Sequence, residues 1–142
     1  MLEIEQVKEI NMEIVEALSR LILQLSPDSK IACSESLKRI VSNKGSYLFI
    51  ARNTDIIATL TLLVIESPTG AKAWIEDVVV DSKARGQKVG EKLLIHAIDF
   101  AKTLDISSIN LTSMPERVAA NKLYHKLGFE KRETNVYRLM IH

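Results

Sequence analysis

The sequence predicts an α/β (α+β) fold in which about seven strands form one sheet flanked by helices. Segments of alternating apolar and polar residues, typical of strands, are interspersed with segments of helical periodicity. Their order is strand, two helices, three strands, helix, strand, helix and two strands. A β-branched run, Val78-Val79-Val80, passes through a short glycine-containing turn directly into one of the helices. The 142 residues, 1–142, are expected to form a single domain.

The first elements are a strand and two helices. Residues 2–7 alternate apolar and polar side chains, which predicts the first strand. Asn11 is a good helix cap, and apolar residues recur at helical spacing after it until Ser26 and Pro27 stop the helix. We expect a shorter helix over 35–41, capped by Ser34.

Three strands in quick succession are expected next. Residues 47–52 and 56–65 are separated by Asn53-Thr54-Asp55, which has the composition of a hairpin turn. A second turn, Ser67-Pro68-Thr69-Gly70, leads into a strand over 72–81.

The C-terminal third is expected to add two helices and three strands. The helix after the glycine-containing turn places apolar residues on one face. A strand over 107–113 follows, then a helix over 115–127 with Pro115 at its favoured first position. The chain is expected to end in strands over 129–132 and 135–141.

Composition excludes several classes of function. The formal net charge is +1 and the basic residues are dispersed, so a nucleic-acid partner is not expected. The acidic N-terminus is unlike a signal peptide, no apolar run reaches the length of a membrane span, and we expect a cytoplasmic protein with no membrane partner. Cys33 is the only cysteine, and the three histidines lack the spacing of a metal motif, so we expect no metal.

The turn over 85–91 combines features that bind an anion. It begins with Arg85 and Gly86 and opens a helix, whose first amide groups lack intrahelical partners and carry partial positive charge. Glycine permits close approach of the backbone and a positive φ, and Arg85 and Lys88 add fixed charge. Two nucleotide motifs do not fit. A dinucleotide fingerprint needs a third glycine, and a P-loop needs Ser or Thr after Gly-Lys, whereas Glu91 and Lys92 follow Gly90.

The turn resembles motif A of the Gcn5-related N-acetyltransferases (GNAT), [RQ]-x-x-G-x-[GA] after a strand. A second segment, Asn121-Lys-Leu-Tyr124-His-Lys-Leu-Gly128-Phe129, is similar to motif B of that family. The two motifs occur in order with a strand between them, and the resemblance covers roughly residues 73 to 142. The run Trp74 to Val80 also looks like the glucosamine-6-phosphate N-acetyltransferase branch of the family.

The resemblance implies a mixed, mostly antiparallel sheet with helices on both faces, splayed between its fourth and fifth strands. It also implies acetyl-CoA as the co-substrate, with its pyrophosphate in the turn and its pantetheine arm along the backbone of the preceding strand. The residues implied in donor binding are Val78, Val79, Val80, Arg85, Gly86, Gln87, Lys88, Val89, Gly90, Glu91, Asn121 and Tyr124.

Lys88 departs from the family pattern, which carries glycine at this position. Lysine is costly at a positive φ, so we expect an ordinary helical φ there. The amide would still face the anion, with the ammonium group beside it.

The family's chemistry is direct attack of an amine on a thioester, which depends mainly on positioning two substrates. The resemblance implies that Tyr124 is the general acid for the thiolate, which suits a phenol. Glu76 and Asp77 are the candidate bases, and alternation sends them to opposite faces of the strand. We favour Glu76 by analogy with the family, although it could equally pair with a lysine across the sheet or act through water. At the equivalent place on the next strand this chain has Thr112.

The amine acceptor is left open by the sequence: a small molecule, an aminosugar or a peptide. An aminosugar phosphate would need a basic pocket, for which Arg117, Arg132 and Arg138 are candidates. A third interpretation is a domain that binds acetyl-CoA as a sensor without turnover. A homodimer is also expected, because the last strand would leave an apolar edge around Val136.

Overall fold

The chain follows the predicted order of elements as far as its fourth helix. The structure is a computed structural model that describes residues 1–30 and 32–142. Its elements are β1 (Glu3–Val7), α1 (Met12–Leu25), α2 (Ser34–Ser42), β2 (Ser46–Arg52), β3 (Ile56–Ser67), β4 (Gly70–Val80), a 3-10 turn (Ser82–Ala84), α3 (Val89–Ala101), β5 (Ile109–Asn110) and α4 (Val118–Lys126). They fall into two compact units, residues 1–111 and residues 112–142.

The first unit contains a five-stranded mixed sheet in the order β1-β2-β3-β4-β5. Neighbouring strands from β1 to β4 are antiparallel, and β5 runs parallel to β4. The prediction of a mixed, mostly antiparallel sheet is therefore confirmed. The number of strands is five in the described residues rather than about seven.

Helices pack on both faces of this sheet, as predicted. On β2, Leu48 and Ile50 join an apolar cluster with α1 and α2. Phe49 lies between them and faces the opposite way, where its ring meets His96 and Phe100 of α3. Because side chains alternate between the two faces along β2, this strand contributes to the apolar packing on both sides of the sheet. Each large apolar side chain buried in this way stabilises the fold by about 1.5–3 kcal/mol.

The helix starts follow from local hydrogen bonds. Asn11 caps α1, since its side chain accepts a hydrogen bond from the Ile14 amide at 2.9 Å. The cap of α2 is Cys33 rather than the predicted Ser34. Cys33 has an extended backbone and forms a capping box with Ser36. The Cys33 amide donates to Ser36 Oγ at 3.2 Å, and the Ser36 amide donates to Cys33 Sγ at 3.4 Å.

The structure corrects the sequence prediction at the C-terminal end. The strand expected over 107–113 is reduced to Ile109–Asn110, and α4 begins at Val118 rather than at Pro115. The segments 129–132 and 135–141 form no strand. A local preference for extended backbone is not enough for a strand, which also needs a backbone partner, and no ladder reaches these residues.

No helix in the described part of the chain is both long and apolar enough to cross a membrane.

Candidate functional site

A β-bulge interrupts β4 just before the glycine-containing turn. Thr59 of β3 pairs with Val79, whereas Thr61 pairs with Glu76, so that Asp77 and Val78 both lie opposite Leu60. Asp77 has a positive φ of 52°. Such an extra residue breaks strict alternation. Val79 consequently lies on the same face as Glu76, which the regular spacing of a strand would not allow.

Glu76 is exposed on the face of the sheet that carries α1 and α2. Thr61 pairs with Leu48 on one side and with Glu76 on the other, and directly paired residues share a face. Leu48 belongs to the cluster formed with α1 and α2. Within the described residues the carboxylate of Glu76 has no ion pair, so the cross-strand lysine partner considered from the sequence is not found.

The end of β4 has a pairing strand on one side only. The β5 ladder involves just Ala73 and Trp74, so among the described residues nothing pairs with 75–80 on that side. Val79 is buried, while Val78 and Val80 are half-buried. Backbone groups on this edge of 78–80 are therefore not committed to a sheet ladder.

The turn after β4 changes direction through two residues with positive φ. Arg85 is extended, Gly86 has a φ of 84°, and Lys88 has a φ of 62° and a ψ of 23°. The expected positive φ at a glycine is confirmed at Gly86. The helical φ expected at Lys88 is wrong, because Lys88 adopts the left-handed conformation immediately before the first turn of α3.

The start of α3 lacks a side-chain cap. Lys88 is the residue before the helix and makes no capping hydrogen bond, and the Lys92 amide donates back to its carbonyl at 3.1 Å. The amides of Val89 and Gly90 precede that bond and have no partner within a helix. The side chains of Arg85, Gln87 and Lys88 are exposed beside them. Positive charge and backbone donors together suit a polyanionic ligand.

Gly90 also lies close to β4. A Cβ at this position would come within 3.4 Å of Val80 Cγ2, which is ordinary van der Waals contact. α3 thus starts directly against the end of β4, and a Cβ at Gly90 would be accommodated there. Lys88 is the strained position of the turn.

In the second unit, α4 ends in a Schellman motif that accounts for the Gly-Phe pair. Gly128 has a φ of 101°, and its amide donates to the His125 carbonyl at 3.1 Å. The Phe129 amide donates to the Tyr124 carbonyl at 2.9 Å, and the two rings meet edge to face at 5.9 Å. These are the two hydrogen bonds and the apolar contact of the motif. Gly128 and Phe129 therefore hold the Tyr124 side chain in place.

Tyr124 and Asn121 lie one turn apart on α4. Burial raises the pKa of the Tyr124 phenol above its ordinary value of 10.0, and the charge of Arg117 offsets part of that rise. The phenol is therefore a neutral proton donor throughout the physiological pH range. The side-chain amide of Asn121 donates to the Met114 carbonyl at 3.0 Å, which ties down the loop before the helix.

Sequence reasoning missed one group of residues in the first unit. Arg20 and Gln24 of α1 meet Asp81 and Ser82, which join β4 to the turn. Asp81 followed by Ser-Lys-Ala is a local signal for a capped turn. No local pattern in the sequence predicts the contact of this turn with α1, because the partners are 58 or more positions apart in the chain.

In the described residues no cluster of three or more His, Cys, Asp or Glu side chains is arranged to hold a metal ion. Of the predicted site residues, the first unit contains Glu76, the valines of β4 and the turn over 85–91. The second unit contains Asn121 and Tyr124.

Comparison with known proteins gives matches over most of the chain. Residues 13–129 match the family described as the Acetyltransferase (GNAT) family. N-acetyltransferase 8B of Homo sapiens is 27% identical over 101 residues, which make up 69% of this chain and 44% of that protein. The chain thus matches less than half the length of this curated relative.

Solved structures show the same fold. An aminoglycoside acetyltransferase from an uncultured soil metagenomic sample, in complex with trehalose, has a TM-score of 0.84 at 22% identity, covering 99% of this chain and 97% of that one. Glucosamine-6-phosphate N-acetyltransferase from Arabidopsis thaliana has a TM-score of 0.80 at 19% identity, covering 99% of each chain.

Proposed function

The chain belongs to the Acetyltransferase (GNAT) family, as its two motifs indicated, and on this premise we propose that it transfers an acetyl group from acetyl-CoA to a primary amine. The reaction is direct attack of the neutral amine on the thioester, without a covalent enzyme intermediate. The observation that carries the proposal is the basic turn that opens α3 without a side-chain cap. It provides what a diphosphate requires, namely backbone donors and exposed cationic side chains.

In this proposal the donor diphosphate is bound by the turn over 85–91. The amides of Val89 and Gly90 donate hydrogen bonds, while Arg85 and Lys88 contribute charge. Both side chains are exposed, and neither has an ion pair in the part of the chain that the structure describes. Binding of an anion therefore breaks no existing salt bridge.

The pantetheine arm is proposed to lie along the end of β4. Residues 78–80 have backbone groups free of a ladder on one side, which are suited to the amides of the arm. We also propose that the side-chain carbonyl oxygen of Asn121 accepts a hydrogen bond from the pantetheine arm. The side-chain NH₂ group of Asn121 already donates to the Met114 carbonyl.

Tyr124 is proposed as the general acid that protonates the departing thiolate. Its raised pKa keeps the proton on the phenol until charge develops on sulfur. Glu76 is proposed as the general base, acting directly or through water. It is an exposed carboxylate on the face of the sheet that bears α1 and α2.

Two measurements test the donor and the acid. Titration calorimetry with coenzyme A and acetyl-CoA should show binding, and absence of heat with both would overturn the proposal.

The rate of thiol release should fall by about 10² to 10⁴-fold in Tyr124→Phe, the range that general acid catalysis contributes. Tyr137→Phe is the matched control, since Tyr137 is 86% exposed and lies outside both motifs. Equal rates in the two variants would exclude Tyr124 as the acid.

The acceptor is to be identified with a panel of amines. An aminoglycoside, glucosamine 6-phosphate and a peptide amine should be included, since the first two classes are named for proteins of the same fold. An aminosugar phosphate would favour a role for Arg117, Arg132 and Arg138, all of which are exposed. Tight donor binding with no turnover on any amine would instead support the sensor function.

We also propose that the protein forms a homodimer. The segment 136–141 exposes large apolar side chains, among them Val136 at 76%, Tyr137 at 86% and Leu139 at 84%. Such a run is costly to leave in water, and a second copy could cover it. Light scattering should give twice the monomer mass, and Leu139→Ser combined with Val136→Ser should lower it. A monomeric mass for the unmodified chain would overturn this part of the proposal.

A further inference from the structure

One face of α1 reaches the junction between β4 and the turn. Gln24 Oε1 accepts a hydrogen bond from the Ser82 amide at 2.9 Å. Four residues earlier, Arg20 places Nε 3.6 Å from Asp81 Oδ2 and donates through Nη2 to the Ile56 carbonyl at 2.8 Å. Residues four apart lie on the same face of a helix, so both contacts come from one side of α1.

Asp81 is the centre of this junction. Its side chain is mostly buried and accepts a hydrogen bond from the Lys83 amide at 3.1 Å. Its own amide donates to the Ile57 carbonyl at 2.7 Å, and its carbonyl accepts from the Ala84 amide at 2.8 Å. The Asp81 backbone thus pairs with β3, while its carboxylate contacts the 3-10 turn and α1.

The hydrogen bond from Lys83 is the main reason that the pKa of Asp81 lies below its ordinary value, with smaller contributions from Gln24 and Arg20. The group therefore stays charged at neutral pH, and Arg20 keeps its partner. A charged, hydrogen-bonded carboxylate holds a backbone segment more rigidly than a neutral one does.

We infer that Arg20 and Gln24 are positioning residues which, through Asp81 and Ser82, set the path of the turn over 85–91. Ser82 lies only three positions before Arg85, and a main-chain donor must be placed within a few tenths of an ångström to bind an anion well. Ordering the turn beforehand removes a cost of binding. The inference rests on the proposed function for its effect on donor affinity. The helix involved, α1, is far from both motifs in the sequence.

The test compares Gln24→Ala with Ser19→Ala. Ser19 is on the same helix, and its hydroxyl donates to the Ala32 carbonyl at 3.0 Å. Both variants lose one hydrogen bond from an α1 side chain, but only the bond of Gln24 leads to the turn. We expect the Kd for coenzyme A to rise about 3- to 10-fold in Gln24→Ala, the range of a single hydrogen bond, and to stay unchanged in Ser19→Ala.

Arg20 is tested through a double-mutant cycle with Asp81. If Arg20 acts by holding Asp81, the effects of Arg20→Met and Asp81→Asn on the Kd for coenzyme A are less than additive. Additive effects would show that Arg20 acts elsewhere.

Amide hydrogen exchange in the free protein provides a readout that needs no ligand. Gln24→Ala should raise exchange of the amides over 82–90 while leaving β2 protected, and Ser19→Ala should not. Unchanged exchange of the turn in Gln24→Ala, or an equal loss of affinity in both variants, would overturn the inference. If the unmodified protein bound no coenzyme A, the proposed function would fail, while exchange would still decide whether α1 orders the turn.

Discussion

Lys88 allows the strain in the turn over 85–91 to be measured directly. It holds a φ of 62° and a ψ of 23°, a conformation that favours glycine. The left-handed conformation costs an L-residue roughly 1–2 kcal/mol. Glycine would relieve that cost but lose about 0.5–1 kcal/mol through the greater entropy of the unfolded chain. Taking the midpoints of the two ranges, we expect Lys88→Gly to raise the free energy of unfolding by about 0.75 kcal/mol.

The assay is thermal unfolding of Lys88→Gly beside Lys88→Ala. Both variants lose the ammonium group, but alanine keeps the Cβ and hence the strain. A difference of this size corresponds to about 1–4 °C in Tm for a chain of this length. Equal Tm values for the two variants would refute the claim that the turn imposes a left-handed conformation on residue 88.

Coenzyme A binding by the same two variants measures the contribution of the charge. An exposed ammonium beside an anion contributes little to affinity, so both variants should bind coenzyme A about 2- to 5-fold more weakly than the unmodified chain. The loss should diminish at high salt, because screening shortens the reach of exposed charges. Unchanged affinity in both variants would place Lys88 away from the diphosphate.

Three further predictions concern packing and protonation. Gly45→Ala should lower the free energy of unfolding by about 1–3 kcal/mol in urea, since a Cβ there would lie 2.8 Å from the Val64 carbonyl oxygen, and an unchanged midpoint would contradict that packing. The lowered pKa of Asp81 stabilises the fold above the unfolded value of 3.8, and this stabilisation is lost as pH falls through the lower folded value. Asp81→Asn should therefore lose less stability than the unmodified chain on acidification to pH ~3, and parallel acid curves would argue against it. Difference titration of the unmodified chain against Tyr124→Phe should show phenolate forming above pH 10.0, and ionisation below that value would contradict the burial of the phenol.

Patterns confined to a few neighbouring residues were readable from the sequence. The alternation of β1, the cap at Asn11 and the helical periodicity of α3 each predicted an element that the structure contains. The basic turn before α3 was located in the same way, because a strand, a glycine and a helix start leave a local signature. Motif resemblance then indicated the family to which the chain belongs.

The predictions that were wrong share a physical cause. Lys88 was expected to be helical, yet the path from Arg85 to α3 determines its φ. The segment 135–141 was expected to form a strand but has no backbone partner to complete one. In both cases local preference did not decide the outcome: the path of the turn outweighed it at Lys88, and no pairing strand supported it over 135–141.

By itself the sequence determined which residues favour strands and helices, which turn combines glycine with basic side chains before a helix, and which family the motifs resemble, because these depend on neighbours within a few positions. Only the tertiary structure decided that β4 bulges at Asp77 and that Arg20 and Gln24 meet the turn at Asp81 and Ser82. Such features arise when strands and helices far apart in the chain pack together, and pairing and packing at that range leave no periodic trace in the sequence.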